Sequence, residues 1–305
     1  MLEQLNVSVV GAGLMGHGIA QVFATAGARV SIFDPAPDIL ASVPERIAAN
    51  LELLGEDAAV ARGVRLVGEL APAVEGADWV FEAAPERLAL KQALFAEIEA
   101  AVGPDCVIAT NTSVMRVTEI AARLRRPERA LGTHWWSPPY LVPLVEVVPG
   151  ELTAPATVQA TMSLLEELGK TAVHVRRDVP GFIGNRLQHA LWRQAFELVD
   201  AGVCDAETID TVVKAGFGAR LGVLGPMENA DLIGLDLTLE IHEYVLPTLD
   251  PPSQPSAGLR RRVAEGELGA KTGSGFREWS AADVDALRRG VFSRLVGDAR
   301  REPST

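Results

Sequence analysis

The chain has 305 residues, enough to bury a substantial core and to form two domains or one large one. It is 48% hydrophobic and 22% charged with a formal net charge of -12, which argues against nucleic acid or an anionic membrane surface as a partner. Cys106 and Cys204 lie far apart in apolar contexts, so neither a disulfide framework nor a metal site is expected, and no apolar run is long enough to span a bilayer.

Residues 5–10 are a short valine-rich apolar run that stops at Gly11, as a buried strand does. Residues 14–26 carry Ile19, Val22, Phe23 and Ala26 at helical spacing, and Gly27 is the C-terminal stop. A second strand, 29–33, closes at Asp34 and Pro35, and a helical segment follows over 37–54. Further strands are expected at 64–67, 78–82, 106–109 and 130–134, with Leu90, Leu94, Phe95 and Ile98 marking a helix between two of them. Strands alternating with helices predict an α/β fold, a doubly wound parallel sheet of the Rossmann type.

After a last strand near 171–175 the pattern changes. Val179, Pro180 and Gly181 punctuate the chain, and then Ile183, Leu187, Leu191 and Leu198 recur at helical spacing. The remainder reads as all-α, so the boundary is placed at 178, with domains 1–178 and 179–305. The proline-rich LDPPSQPSAG reads as a surface loop. MLEQLNVSVV has neither a signal-peptide pattern nor a basic amphipathic one, which predicts a cytoplasmic protein.

Gly11, Gly13 and Gly16 form GAGLMG between the first strand and first helix, the context that a dinucleotide-binding loop requires. Gly11 permits the tight turn, Gly13 lets backbone approach a pyrophosphate, and Gly16 allows close helix–sheet packing, with Leu14 and Met15 completing the loop. The helix N-terminus offers N–H groups to phosphates. Asp34 ends the second strand, where a carboxylate accepts from ribose hydroxyls; no arginine follows immediately to receive a 2′-phosphate, so NAD is favoured over NADP. His17, inside this helix start, reads as a surface or packing residue.

His134 ends a predicted strand at the sheet edge where ligands bind, and 141–148 looks like the next strand. His134 and Glu146 are equidistant from Tyr140 in the turn Pro138-Pro139-Tyr140, so a simple reversal brings them side by side. A carboxylate there fixes the tautomer of the imidazole and favours its charged form, as a general base for alcohol oxidation requires. The alternative is a strand-end histidine and a surface ion pair. Asn111, Thr112 and Ser113 follow the strand CVIAT at the same edge; they could hold a substrate oxygen or the nicotinamide ribose, or Ser113 could cap a helix over VMRVTEIAARL.

Together these segments resemble the 3-hydroxyacyl-CoA dehydrogenase family over nearly the whole chain. The anchors are GAGLMGHGIA, EAAPERLALK, NTS, GTHWWSPP with LVEVV, DVPGFIGNR, GPMENADLIGLD and KTGSGF. The resemblance implies an NAD domain followed by an all-helical domain through which subunits dimerise. By position it implies a catalytic His134 paired with Glu146, Ser113 touching substrate hydroxyl and cofactor, and Asn185 completing the site. Asn185 is otherwise a surface asparagine near a helix start. Glu86 and Lys91 match cofactor contacts, although as a helix pair they could form only a solvated charged edge. Lys271, in KTGSGF, matches a lysine reaching the cofactor from the second domain.

Three departures bear on substrate. Ser137 replaces the usual asparagine after two aromatics, which are Trp135 and Trp136 where phenylalanines are common. Met227 and Asn229 stand where Phe and Leu are typical. Residues 36–75 hold three arginines (Arg46, Arg62, Arg65) against seven acidic residues, a poor match to the phosphates of coenzyme A. Pro138-Pro139 and PLVEVV resemble the branch acting on free small molecules, which includes L-carnitine dehydrogenase, L-gulonate 3-dehydrogenase and a pyridine-ring aldehyde dehydrogenase. The leading expectation is an NAD-dependent dehydrogenase of a secondary alcohol β to a carboxyl or thioester; the competing class is a non-catalytic NAD-binding protein.

Overall fold

The computed structural model of the protein describes residues 2–249 and 255–299. Half of the proline-rich stretch expected as a surface loop, residues 250–254, lies outside them.

In the first part of the chain β1 (Asn6–Val10), β2 (Arg29–Phe33), β3 (Arg65–Val67), β4 (Trp79–Glu82), β5 (Val107–Thr110), β6 (Ala130–Trp135), β7 (Leu144–Pro149) and β8 (Thr171–His174) build one eight-stranded sheet in the order β3-β2-β1-β4-β5-β6-β7-β8. Pairing is parallel from β3 through to β6. The connection 136–143 is too short for a crossover helix, so β7 returns antiparallel to β6, and β8 lies parallel to β7. The sheet is therefore doubly wound with a reversed edge, rather than parallel throughout.

The helices between strands are α1 (Leu14–Thr25), α2 (Pro37–Ala41), α3 (Val43–Leu54), α4 (Leu70–Val74), α5 (Leu88–Ala101), α6 (Val117–Ile120) and α7 (Pro155–Glu167). The single helix expected over 37–54 is divided at Ser42, because Pro44 in the first turn of α3 has no N–H to continue the ladder. Side chains alternate across each strand, so the sheet feeds two apolar layers. Val7, Val9, Ile32 and Phe81 pack with Ile19, Phe23 and Ile47 on one face, and Val10, Val80 and Ile108 pack with Phe95 and Ile98 on the other.

Contacts divide the chain into two units: residues up to Arg186 together with the end of the last helix from Ser293, and Leu187–Phe292. The second unit takes most of α8 (Gly184–Asp200) and then α9 (Ala206–Ala215), α10 (Pro226–Ile233), α11 (Leu235–Val245), α12 (Ala257–Ala264) and most of α13 (Ala281–Ala299). It has no strand among its described residues. Among those residues none is buried, and Val212, Met227, Leu232 and Tyr244 are exposed apolar positions. No described helix is long and apolar enough to cross a membrane.

Candidate active site

The turn after β1 is shaped by backbone geometry. Gly11 has φ +102°, and a Cβ at Gly16 would overlap the Gly11 carbonyl, so both positions require glycine. A Cβ at Gly13 would meet nothing within 4 Å, which leaves open ground over the start of α1, and Gly13 caps that helix without a side-chain hydrogen bond. Uncapped N–H groups beside open space fit a dinucleotide pyrophosphate. Asp34 accepts from Ala12 N at 2.8 Å and Ala36 N at 2.9 Å, which fixes its carboxylate at the end of β2.

Arg46 on α3 organises the loop from beneath. Its guanidinium donates to Ala12 O at 3.0 Å and Gly13 O at 2.8 Å, and it also touches His17 Nδ1. His17 is buried and held below the ordinary imidazole range, first by burial and then by the Arg46 charge, against a hydrogen bond to Gly13 that works upwards. It is a packing residue.

At the ends of β4 and β5 a buried ionic network sets the NTS loop. Lys91 is 1% exposed and donates to Glu82 Oε1 at 2.8 Å, Glu82 Oε2 at 3.1 Å and Ala84 O at 3.1 Å, with Glu86 Oε2 at 3.4 Å. Thr110 Oγ1 donates to Glu82 Oε2 at 2.6 Å. Glu86 Oε1 accepts from the Thr112 hydroxyl and from Ser113 N at 3.0 Å. Glu86 precedes α5 and Lys91 is buried, so the two are not a solvated helix edge. Glu82, which sequence reasoning missed, is the hub; a glutamate closing an apolar strand was the available signal.

Asn111 Oδ1 accepts from Trp135 N at 3.0 Å and so ties β5 to β6. Asn185 Nδ2 donates to Ser113 O at 2.8 Å, bringing the start of α8 to the same loop. Ser113 caps no helix: α6 begins only at Val117, and its first N–H groups go to Asp178, which accepts from Val117 N at 3.1 Å and Thr118 N at 2.8 Å. Lys271 belongs to the second unit, in the turn Gly269–Gly273.

His134 and Glu146 face each other across the β6–β7 ladder. Both are buried, at 4% and 2% exposure, and His134 Nδ1 lies 2.7 Å from Glu146 Oε2. The other carboxylate oxygen accepts from Ile183 N and Gly184 N, each at 3.0 Å. Gly181 and Phe182, with φ +74° and +50°, wind the chain left-handed to aim those two amides. Burial alone would raise the Glu146 carboxyl; the hydrogen bonds from His134, Gly184 and Ile183 overcome it and hold the group below the ordinary glutamate range. An ionised Glu146 takes the Nδ1 proton side of the ring and leaves Nε2 as the free acceptor.

Aromatic rings flank the imidazole. Trp136 and Phe182 lie 5.1 Å and 5.7 Å from it between ring centroids. Trp135 turns the other way, into the core beside Phe23 and Phe81. The turn between the two strands is pinned by Lys170, whose ammonium donates to Pro139 O and Val142 O, and by Tyr140 Oη donating to Asn50 Oδ1 at 3.0 Å. Burial lowers Lys170 to about 8.

Two family models account for most of the chain: 3-hydroxyacyl-CoA dehydrogenase, NAD binding domain, over residues 6–179, and 3-hydroxyacyl-CoA dehydrogenase, C-terminal domain, over residues 181–279. Over 97% of its length the chain is 34% identical to 97% of a 5-formyl-3-hydroxy-2-methylpyridine 4-carboxylate 5-dehydrogenase from Mesorhizobium japonicum. A solved structure of an enzyme of that name, an NAD+-dependent dismutase, matches with a TM-score of 0.90 at 32% identity, covering 97% of this chain and 98% of that one. An L-carnitine dehydrogenase from Pseudomonas aeruginosa is 40% identical over 76% of this chain and 74% of its own. The structure of (S)-3-hydroxybutyryl-CoA dehydrogenase from Ralstonia eutropha matches with a TM-score of 0.75 at 33% identity, over 90% of this chain and 99% of that one.

Proposed function

The chain belongs to the 3-hydroxyacyl-CoA dehydrogenase family, and we propose that it interconverts a compact free hydroxy acid and its oxo form, with His134 as base and Glu146 as its partner. The reaction class, NAD-dependent oxidation at a CH–OH group, follows from membership and from the relatives. The observation that carries the assignment of roles is the buried 2.7 Å hydrogen bond between His134 Nδ1 and Glu146 Oε2.

In this reading Nε2 of His134 accepts the substrate hydroxyl proton. The imidazolium that forms sits against an ionised carboxylate held by two backbone amides, so the charge is stabilised where it develops. Bound NAD would supply the acceptor for the hydride that leaves the carbon bearing that hydroxyl. Trp136 and Phe182 exclude water from the faces of the ring. Ser113 and Asn185, joined to each other, orient the hydroxyl. Asp34, the Gly11–Gly16 loop and the Asn111 segment hold the cofactor, with Lys91 and Glu86 fixing that segment through Glu82, Thr112 and Ser113.

Three considerations favour a free acid over a coenzyme A thioester. Residues 36–75 are acidic, and Arg46 and Arg65 there are already engaged with backbone carbonyls, leaving little to meet the phosphates. A relative matched over 97% of both chains is named for a pyridine carboxylate. At nearly equal identity, the similarity in shape is greater to the pyridine-carboxylate enzyme than to the 3-hydroxybutyryl-CoA enzyme. The exposed apolar faces of the second unit support a homodimer through residues 179–305, with 1–178 as the NAD domain.

His134→Ala and Glu146→Gln are each expected to lower turnover by about 100- to 10,000-fold. NAD affinity, read by fluorescence titration, is expected to stay near wild type. Full turnover in either variant contradicts the assignment.

A further inference from the structure

Trp136 is placed by fit. Its indole leans on His134, and its Nε1–H has no hydrogen-bond partner among the described residues, so no polar contact from them fixes the ring. What fixes it is Gly184. A Cβ added at Gly184 would overlap Cζ2 of Trp136 and come within 3.2 Å of Cη2 and 3.4 Å of Glu146 Oε2. The benzo edge of the indole thus fills the volume that any other residue at 184 would need. Gly184 has no positive φ that would demand glycine for the backbone's sake. Its amide meanwhile donates to Glu146 Oε1, so one residue seats the wall and holds the partner of the base.

We propose that Trp136 and Gly184 form a matched pair that sets substrate selectivity, with the indole closing the space beside His134 to anything bulkier than a compact free acid. A ring smaller than indole at 136 would leave a gap over Gly184, and a side chain at 184 would drive the indole off its seat towards His134. The two positions are therefore coupled through shape, as neighbours in one packed cluster are. This rests on the free-acid reading, and the test separates the two.

Four proteins decide it: wild type, Trp136→Phe, Gly184→Ala and the double variant. Each is assayed by NADH oxidation with acetoacetate, a panel of free 3-oxo acids, and acetoacetyl-CoA, and each is melted. Gly184→Ala alone is expected to lose at least tenfold in kcat/KM on every substrate and to melt lower. Trp136→Phe is expected to raise the ratio of thioester to free-acid kcat/KM at least tenfold. In the double variant the alanine is tolerated, and the ratio stays raised. Additive losses in the double variant, or a ratio unchanged by Trp136→Phe, overturn the pair. A wild type that prefers acetoacetyl-CoA to every free acid overturns the free-acid reading and with it the direction of selectivity proposed here. If the wild type prefers a free acid while the ratio stays fixed in Trp136→Phe, the pair alone is rejected.

Discussion

In the first unit Val9, Ile19, Phe23 and Ile32 are all at 0% exposure, while in the second Val223, Tyr244 and Met227 stand at 93%, 84% and 75%. Both units are rich in apolar residues at regular spacing, but only the first closes them into a core. A helix with an apolar stripe and nothing over it needs a partner surface. α9 contributes Ile209, Val212 and Val213 to an apolar groove of about 690 Å³ within the second unit, shared with Phe196, Phe217 and Trp279. His134 and Glu146 lie where the scaffold buries its own apolar residues, and the exposed apolar positions lie in the other unit. The proposed site and the proposed dimer surface therefore fall in different stretches of the chain.

Charging the second unit is the strongest way to break that division. Val212→Asp places a carboxylate in the uncovered face, and the proposed dimer should weaken by about 100-fold, equivalent to about 3 kcal/mol. Sedimentation velocity should show monomer at concentrations where wild type is dimeric, with NAD affinity little changed. A dimer unaffected by the charge would assign the assembly to another surface.

Loosening the first unit without touching its core gives the next effect. Arg46→Met removes the donors to Ala12 O and Gly13 O, hydrogen bonds from a charged group worth about 1.5–3 kcal/mol each. NAD Kd should rise about tenfold or more, while kcat at saturating NAD changes little. Lost turnover at unchanged Kd would place Arg46 elsewhere in the mechanism.

The smallest effect is a pH dependence at the turn. Burial depresses Lys170 to about 8 in the folded protein, against about 10.4 in an unfolded chain. Between those values the unfolded state binds more protons, so stability contributed by this group rises with pH from 8 towards 10 and is absent below 8. The melting temperature of wild type relative to Lys170→Met should therefore climb over that window. A flat difference would mean that the ammonium titrates normally.

How legible was this in the sequence? Continuous apolar runs such as 5–10 located the strands of the sheet, because burial on both faces leaves no alternation. The pairing of His134 with Glu146 was readable from their symmetric distance about Tyr140, since a short turn forces an antiparallel return. Contacts that join distant segments left no such trace. Asp178 capping α6, Arg46 under the glycine loop and Gly184 beneath Trp136 depend on tertiary approach, and nothing in their own neighbourhoods announces it. The short α6 illustrates the same point: one of two readings of Ser113 made it the cap of a helix over VMRVTEIAARL, and a carboxylate from a remote loop sets the start of α6 instead.

The free-acid reading is tested most directly by one comparison on the wild-type protein: NADH oxidation with acetoacetyl-CoA beside free 3-oxo acids and aldehydes at matched concentrations. At least one free acid or aldehyde is expected to turn over with a higher kcat/KM than the thioester. Turnover of acetoacetyl-CoA alone would contradict it.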